Sequence, residues 1–176
     1  FTSHPNTDAE PYPHRGVHAR VTQQIVRADE LGYDYAWVAE HHFSNEYGIM
    51  PDVFVYAGYL AALTTRIKIG TAVVTLPLAN PLRVAENSAF VDILTQGRFV
   101  LGLGSGYRKY EFDAFGIDFD RRRDIQEEAL PVLMELLHKK RIDHHGKHFH
   151  AKVEGAYELF PHSIQQPHPP IFLAAS

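Results

Sequence analysis

Ile67-Lys68-Ile69-Gly70-Thr71-Ala72-Val73-Val74 is the stretch whose reading decides the fold. It is rich in β-branched residues and reads as one strand. On either side of it, helical and strand patterns alternate. Upstream, residues 53–64 read as a helix, and Tyr35-Ala36-Trp37-Val38-Ala39 is a short apolar run of the kind expected of a parallel strand covered on both faces. Before that run, Val17, Val21, Ile25, Ala28 and Leu31 recur at helical spacing, and Gly32 supplies a stop. Downstream, residues 83–94 give a helix ended by Gly97, and residues 99–103 give the next strand. A long helix from about Arg121 to Lys139 buries Ile125, Ala129, Val132, Leu133, Leu136 and Leu137, with Pro131 expected to kink it. Residues 1–5 resemble the end of a buried strand running into a loop, and Ile171-Phe172-Leu173-Ala174-Ala175 looks like a further strand, about five in all.

Between the long helix and that last strand the rhythm breaks. Residues 141–170 are rich in His, Pro and Gly and read as an inserted surface loop or hairpin. Strand and helix in strict alternation mean an α/β domain with a parallel sheet, either doubly wound or a closed (β/α)8 barrel. No Gly-x-Gly-x-x-Gly follows an early strand, and Gly102-Leu103-Gly104-Ser105-Gly106 lacks the third glycine at the required offset, which argues against a dinucleotide-binding domain.

The chain has 176 residues, 45% hydrophobic and 22% charged, enough apolar material for one core and a single domain over 1–176. A net charge of -4 provides no basic stripe, which argues against nucleic acid or an anionic membrane surface as partner and favours small molecules. There is no cysteine, so disulfides and thiolate metal sites are excluded and redox chemistry has to come from a bound cofactor. That fits a cytoplasmic protein, and no run approaches the roughly 18 apolar residues of a membrane span. Phe1 at the start and the uncapped apolar run at the end look like cut ends.

Several residue groups could carry chemistry. Glu40-His41-His42-Phe43 directly follows a strand, which in a barrel is the end where reactions occur. A neutral imidazole there, its tautomer set by a neighbouring carboxylate, could act as a base near neutral pH. Metal binding is not expected at this pair, because a third ligand is needed and the two rings diverge if the chain is extended. Small residues at Gly70-Thr71-Ala72-Val73 let a flat ring approach the backbone, and Leu76-Pro77-Leu78-Ala79-Asn80-Pro81 fixes a rigid loop. Gly104, Ser105, Gly106 and Tyr107 offer backbone amides as a phosphate cradle, and one of Arg121, Arg122 and Arg123 could pair with that phosphate. His144, His145, His148 and His150 flank Gly146, which points to a hairpin turn rather than a metal site.

Taken in order, Glu40–Phe43, the run from Arg66 to Glu86, Asp92-Ile93-Leu94-Thr95-Gln96-Gly97-Arg98-Phe99, the Gly102–Tyr107 turn and Glu111-Phe112-Asp113-Ala114-Phe115-Gly116 resemble the bacterial-luciferase-like flavin monooxygenases over nearly the whole chain. The resemblance implies the first half of a (β/α)8 TIM barrel, a fold of ~250 residues or more. It implies reduced FMN across the strand ends, delivered by a separate NAD(P)H-dependent flavin reductase, O2 as co-substrate, and a small aldehyde, ketone or alkane as substrate. By the same resemblance His41 is the catalytic histidine, and Ala72-Val73 is a non-prolyl cis peptide beneath the flavin ring. Gly104, Ser105, Gly106 and Tyr107 meet the flavin, Arg123 and Ser176 hold its phosphate, and Glu40, His42 and Asn80 stand behind them or toward the substrate. Three positions depart from the luciferase α-chain: Ser105 stands for an arginine, Gly104 for a reactive cysteine and Asn80 for a histidine. They point away from light emission. A deazaflavin-dependent hydride-transfer enzyme and a non-catalytic flavin-binding paralogue are the alternative readings, and a homodimer is the expected assembly.

Overall fold

A computed structural model describes residues 13–45 and 48–174. The strand expected at residues 1–5 and Ser176, expected to hold a phosphate, lie outside the described residues. The elements are α1 (Pro13–Glu30), β1 (Tyr35–Val38), α2 (Val53–Leu63), β2 (Lys68–Thr71), β3 (Val74–Thr75), α3 (Pro81–Leu94), β4 (Phe99–Gly104), α4 (Lys109–Phe115), α5 (Arg122–Lys139), β5 (Ile142–His145), β6 (His150–Val153) and β7 (Ile171–Leu173). Single 3-10 turns at Leu76–Leu78 and Phe119–Arg121 precede α3 and α5.

Strands β1, β2, β4, β3 and β7 form one sheet whose pairings are all parallel. The register places Ala36 beside Ile69 and Ile69 beside Phe99, so these side chains share a face with Val38, Leu101 and Leu103. That face meets Val21 and Ile25 of α1, Ala57 and Leu60 of α2, Val84 and Val91 of α3, and Val132, Leu133 and Leu136 of α5 in one continuous core. The helices pack in succession, α1 on α2, α2 on α3 and α3 on α5. The opposite face carries Tyr35, Trp37, Gly70, Gly102 and Phe172, and of these Tyr35 and Phe172 are exposed. Helices on one face only make a barrel wall; a doubly wound sheet has them on both.

The segment read as one strand over residues 67–74 is two. At its middle the Ala72–Val73 peptide is cis, as the resemblance implies. β2 ends there and β3 resumes against the far end of β4. The Thr71 hydroxyl spans the interruption, donating to the Gly102 carbonyl and accepting from the Gly102 N–H, both at 2.8 Å. Leu31, expected on the buried side of the first helix, lies beyond its end and is exposed. Gly32 takes φ +86°, and the chain reverses there because only glycine enters that region without cost.

Residues 142–153 form an antiparallel hairpin, β5 with β6, turning at Gly146. Ile142, Ala151 and, farther on, Leu159 are buried in the main core, so the segment is packed as well as exposed. No described helix is long and apolar enough to cross a membrane.

Candidate active site

In a parallel sheet all the strand C-termini emerge at one rim, and four segments meet there. Beyond β1 the chain continues through Ala39 and Glu40 to His41, whose backbone N–H is held by the Met50 carbonyl at 2.9 Å. Beyond β2, Ala72 donates its N–H to the Val38 carbonyl at 2.7 Å, so the cis peptide lies against the end of β1. Beyond β4 comes the Gly104–Tyr107 turn, and beyond β7 Ala174 donates to the Leu103 carbonyl.

His41 is buried, and its Nδ1 lies 3.2 Å from Glu111 Oε1, within hydrogen-bond reach. The same carboxylate oxygen accepts the backbone N–H of His42 at 3.0 Å. Glu40, the neighbouring carboxylate of the motif, accepts from His42 Nε2 at 3.0 Å. Adjacent side chains leave a strand end on opposite sides, so Glu40 pairs with the residue two positions on and not with the next one. That hydrogen bond raises the pKa of His42 above its ordinary value of 6.5; burial opposes the shift, and the charges of Glu40, Glu111 and Asp52 reinforce it.

Glu111 belongs to α4, an element the sequence reading did not separate from the turn before it. Seven residues are too few for a periodic signal. The available signs were Gly116, the left-handed C-cap at φ +69°, and the i, i+4 spacing of Glu111 and Phe115. Phe115 meets the rings of His42 and Phe43 at 5.0 and 5.3 Å between centroids, so one face of α4 grips the segment His41-His42-Phe43.

The Gly104–Tyr107 turn completes the cluster. A β-carbon on Gly104 would stand 2.7 Å from Val73 Cγ2, so the absence of a side chain lets this turn close on the cis peptide. Gly106 is at φ +75° with Phe112 and Thr75 pressed against it. Packing therefore accounts for both glycines without a phosphate. At Gly70 the flat ring that approaches the backbone is the protein's own: a β-carbon there would lie 2.4 Å from the Trp37 indole. Ala72, in contrast, is exposed, and so is Tyr107, whose ring stands edge-on to His41 at 6.1 Å. Ser105 is half-buried. A groove of about 570 Å³ borders His41 and is lined also by His14, His18, Phe43, Asn45 and Ile49.

Two other candidates lie elsewhere in the fold. Asn80 caps α3, its side chain accepting from the Leu82 N–H at 2.9 Å, and it lines a separate cavity with residues of α3, α5 and the segment after the hairpin. Arg123 is exposed on the first turn of α5. Three of the hairpin's four histidines are taken by a carboxylate, His144 by Glu128, His145 by Asp143 and His148 by Asp124, while the His150 ring lies 6.0 Å from that of His145. Among the described residues no three His, Asp or Glu side chains group as a metal site requires.

Comparison with known proteins places this geometry among relatives. A protein of Sinorhizobium fredii named y4vJ, itself uncharacterized, is 36% identical over 154 residues, which are 88% of this chain and 43% of that one. The alkanal monooxygenase alpha chain of Photorhabdus laumondii is 36% identical over 100 residues, 57% of this chain and 28% of the other. Among solved structures, monooxygenase RslO1 from Streptomyces bottropensis superposes with a TM-score of 0.88 at 26% identity, covering 100% of this chain and 52% of its own. The oxygenating constituent of 3,6-diketocamphane monooxygenase from Pseudomonas putida, in complex with FMN, gives a TM-score of 0.83 at 21% identity over 96% of this chain and 48% of its own. The coenzyme F420-dependent tetrahydromethanopterin reductase from Methanopyrus kandleri shares the fold as well, with a TM-score of 0.70 at 24% identity over 89% and 46%. The chain thus spans about half the length of the proteins it matches most fully. A family model for luciferase-like monooxygenases matches residues 2–176, and with a barrel wall of the same form and alkanal monooxygenase chains among its relatives, this chain belongs to that family.

Proposed function

We propose that the protein is a flavin-dependent monooxygenase that uses reduced FMN and O2 on a small apolar substrate of the aldehyde, ketone or alkane type. One observation carries the reading: buried His41, exposed Ala72 at the cis peptide and the Gly104–Tyr107 turn converge on one rim of the sheet. The small methyl of Ala72 leaves room for a planar ring, and the hydroxyls of Ser105 and Tyr107 can serve its polar edge. In this reading Ala72, Val73, Gly104, Ser105, Gly106 and Tyr107 hold the flavin, and Arg123 with Ser176 holds its phosphate. Reduced FMN, when bound, supplies the electrons that activate oxygen. The chain's own part is to bind and orient the ring, to shield the site from water and to move a proton at His41. Glu40 and His42 support the loop that carries His41. Asn80 is engaged in its helix cap. A separate NAD(P)H-dependent reductase would deliver the flavin, since the sequence carries no nicotinamide fingerprint. The FMN complex of the oxygenating constituent of 3,6-diketocamphane monooxygenase supports the choice of cofactor.

Calorimetric titration with FMN and with the deazaflavin F420 tests the reading. FMN is expected to bind at least about tenfold tighter, equivalent to about 1.4 kcal/mol. Preference for the deazaflavin would favour hydride transfer instead, and FMN binding with no oxygen consumption on reduction would favour a non-catalytic flavin carrier. In an active enzyme H41A is expected to keep FMN and to lose turnover of a medium-chain aldehyde by about 10²–10⁴-fold.

A further inference from the structure

We infer that Glu111 is a positioning residue that fixes the tautomer of His41; the inference rests on the reading of His41 as the proton-transfer group. An ionised carboxylate can only accept hydrogen bonds, so the 3.2 Å contact between His41 Nδ1 and Glu111 Oε1 puts the proton on Nδ1 and makes Nε2 the basic nitrogen. The same oxygen takes the His42 N–H at 3.0 Å, so one atom holds both the ring and the backbone beside it. Both side chains are shielded, His41 at 8% and Glu111 at 3% exposure. A carboxylate buried this deeply is costly unless its lone pairs are used. Attaching the loop to α4 does not need it, because Phe115 one turn away already packs on His42 and Phe43. Glu40 cannot substitute, being bound to the other ring. What Glu111 adds is a choice between the two nitrogens of His41.

Long-range 1H–15N spectra of the protein labelled with 15N-histidine, recorded at a pH that keeps imidazoles neutral, read the tautomer of each ring. The His41 signals are those lost in H41N. The wild type is expected to show His41 protonated on Nδ1. E111Q should keep that pattern, since an amide oxygen can accept both bonds, while E111A should shift His41 toward the Nε2–H form that free side chains prefer in water. An Nε2–H ring in the wild type, or a His41 pattern unmoved in E111A, overturns the inference. The wild-type spectrum alone can do so, so a variant that fails to fold does not protect it. No flavin is present in the measurement, so failure of FMN to bind would end the proposed function and leave this assignment standing or falling by itself.

Discussion

Glu40 and His42 form a pair whose strength depends on pH. Their 3.0 Å hydrogen bond lifts the folded-state pKa of His42 above 6.5, against the pull of burial. A raised value means that the pair stabilises the fold fully below the unfolded-state pKa and loses that contribution as pH climbs through the folded value. E40Q should therefore lower the His42 titration midpoint measured by NMR, and should cost more thermal stability near pH 6 than near pH 9. Equal loss at both would show that the pair is not charged in the fold. The sequence offered Glu40 as a neighbouring carboxylate for an imidazole of the motif, and it serves His42. The carboxylate on His41 comes from a residue 70 positions later, and no local pattern announces a contact that distant.

At the scale of elements, α5 and the hairpin are joined through two carboxylates. Glu128 accepts from His144 Nε2 and from the backbone N–H groups of Lys147, His148 and Phe149. Burial works upward on its pKa, but these bonds outweigh it and hold Glu128 at about 2; Asp124, bonded to Lys147 and His148, is held at about 2 as well. Depressed carboxylates contribute stability above their unfolded-state pKa and lose it as pH falls through the folded value. The hairpin is therefore expected to release between about pH 4 and pH 2, read from the amide exchange of residues 147–149. E128A should release it at neutral pH, at a cost of about 1–3 kcal/mol in denaturant unfolding, and unchanged exchange there would contradict the role given to this carboxylate. The turn at Gly146 was legible in sequence; the docking was not, since Glu128 on a helix face looks like any solvated glutamate. The long strands and helices were legible because their periods extend over many residues, whereas α4 has only seven and the division between β2 and β3 depends on the conformation of one peptide bond.

For the molecule as a whole, every helix of the core lies on one side of the sheet, and this decided between the two architectures that strand–helix alternation leaves open. Among the described residues, two apolar surfaces stand exposed. Val55, Tyr59 and Leu63 line one edge of α2 at four-residue spacing, and they continue into Phe90 and Leu94 of α3, where Leu94 touches the place of Gly58. An apolar stripe across two helices suits a two-fold pairing of identical chains, and the prediction is that a homodimer would pair through this face. Sedimentation equilibrium should find a dimer that V55D or F90D converts to monomer; a dimer indifferent to both would place the contact elsewhere. The second surface is the concave side of the sheet, where Tyr35 stacks on Trp37 at 5.6 Å and Trp37 meets Phe172 edge-on at 5.8 Å. Trp37 is the chain's sole indole. Its emission spectrum thus reports hydration on that inner wall with no label attached: a blue maximum when the interior is sealed or filled, and a red one when water reaches the ring.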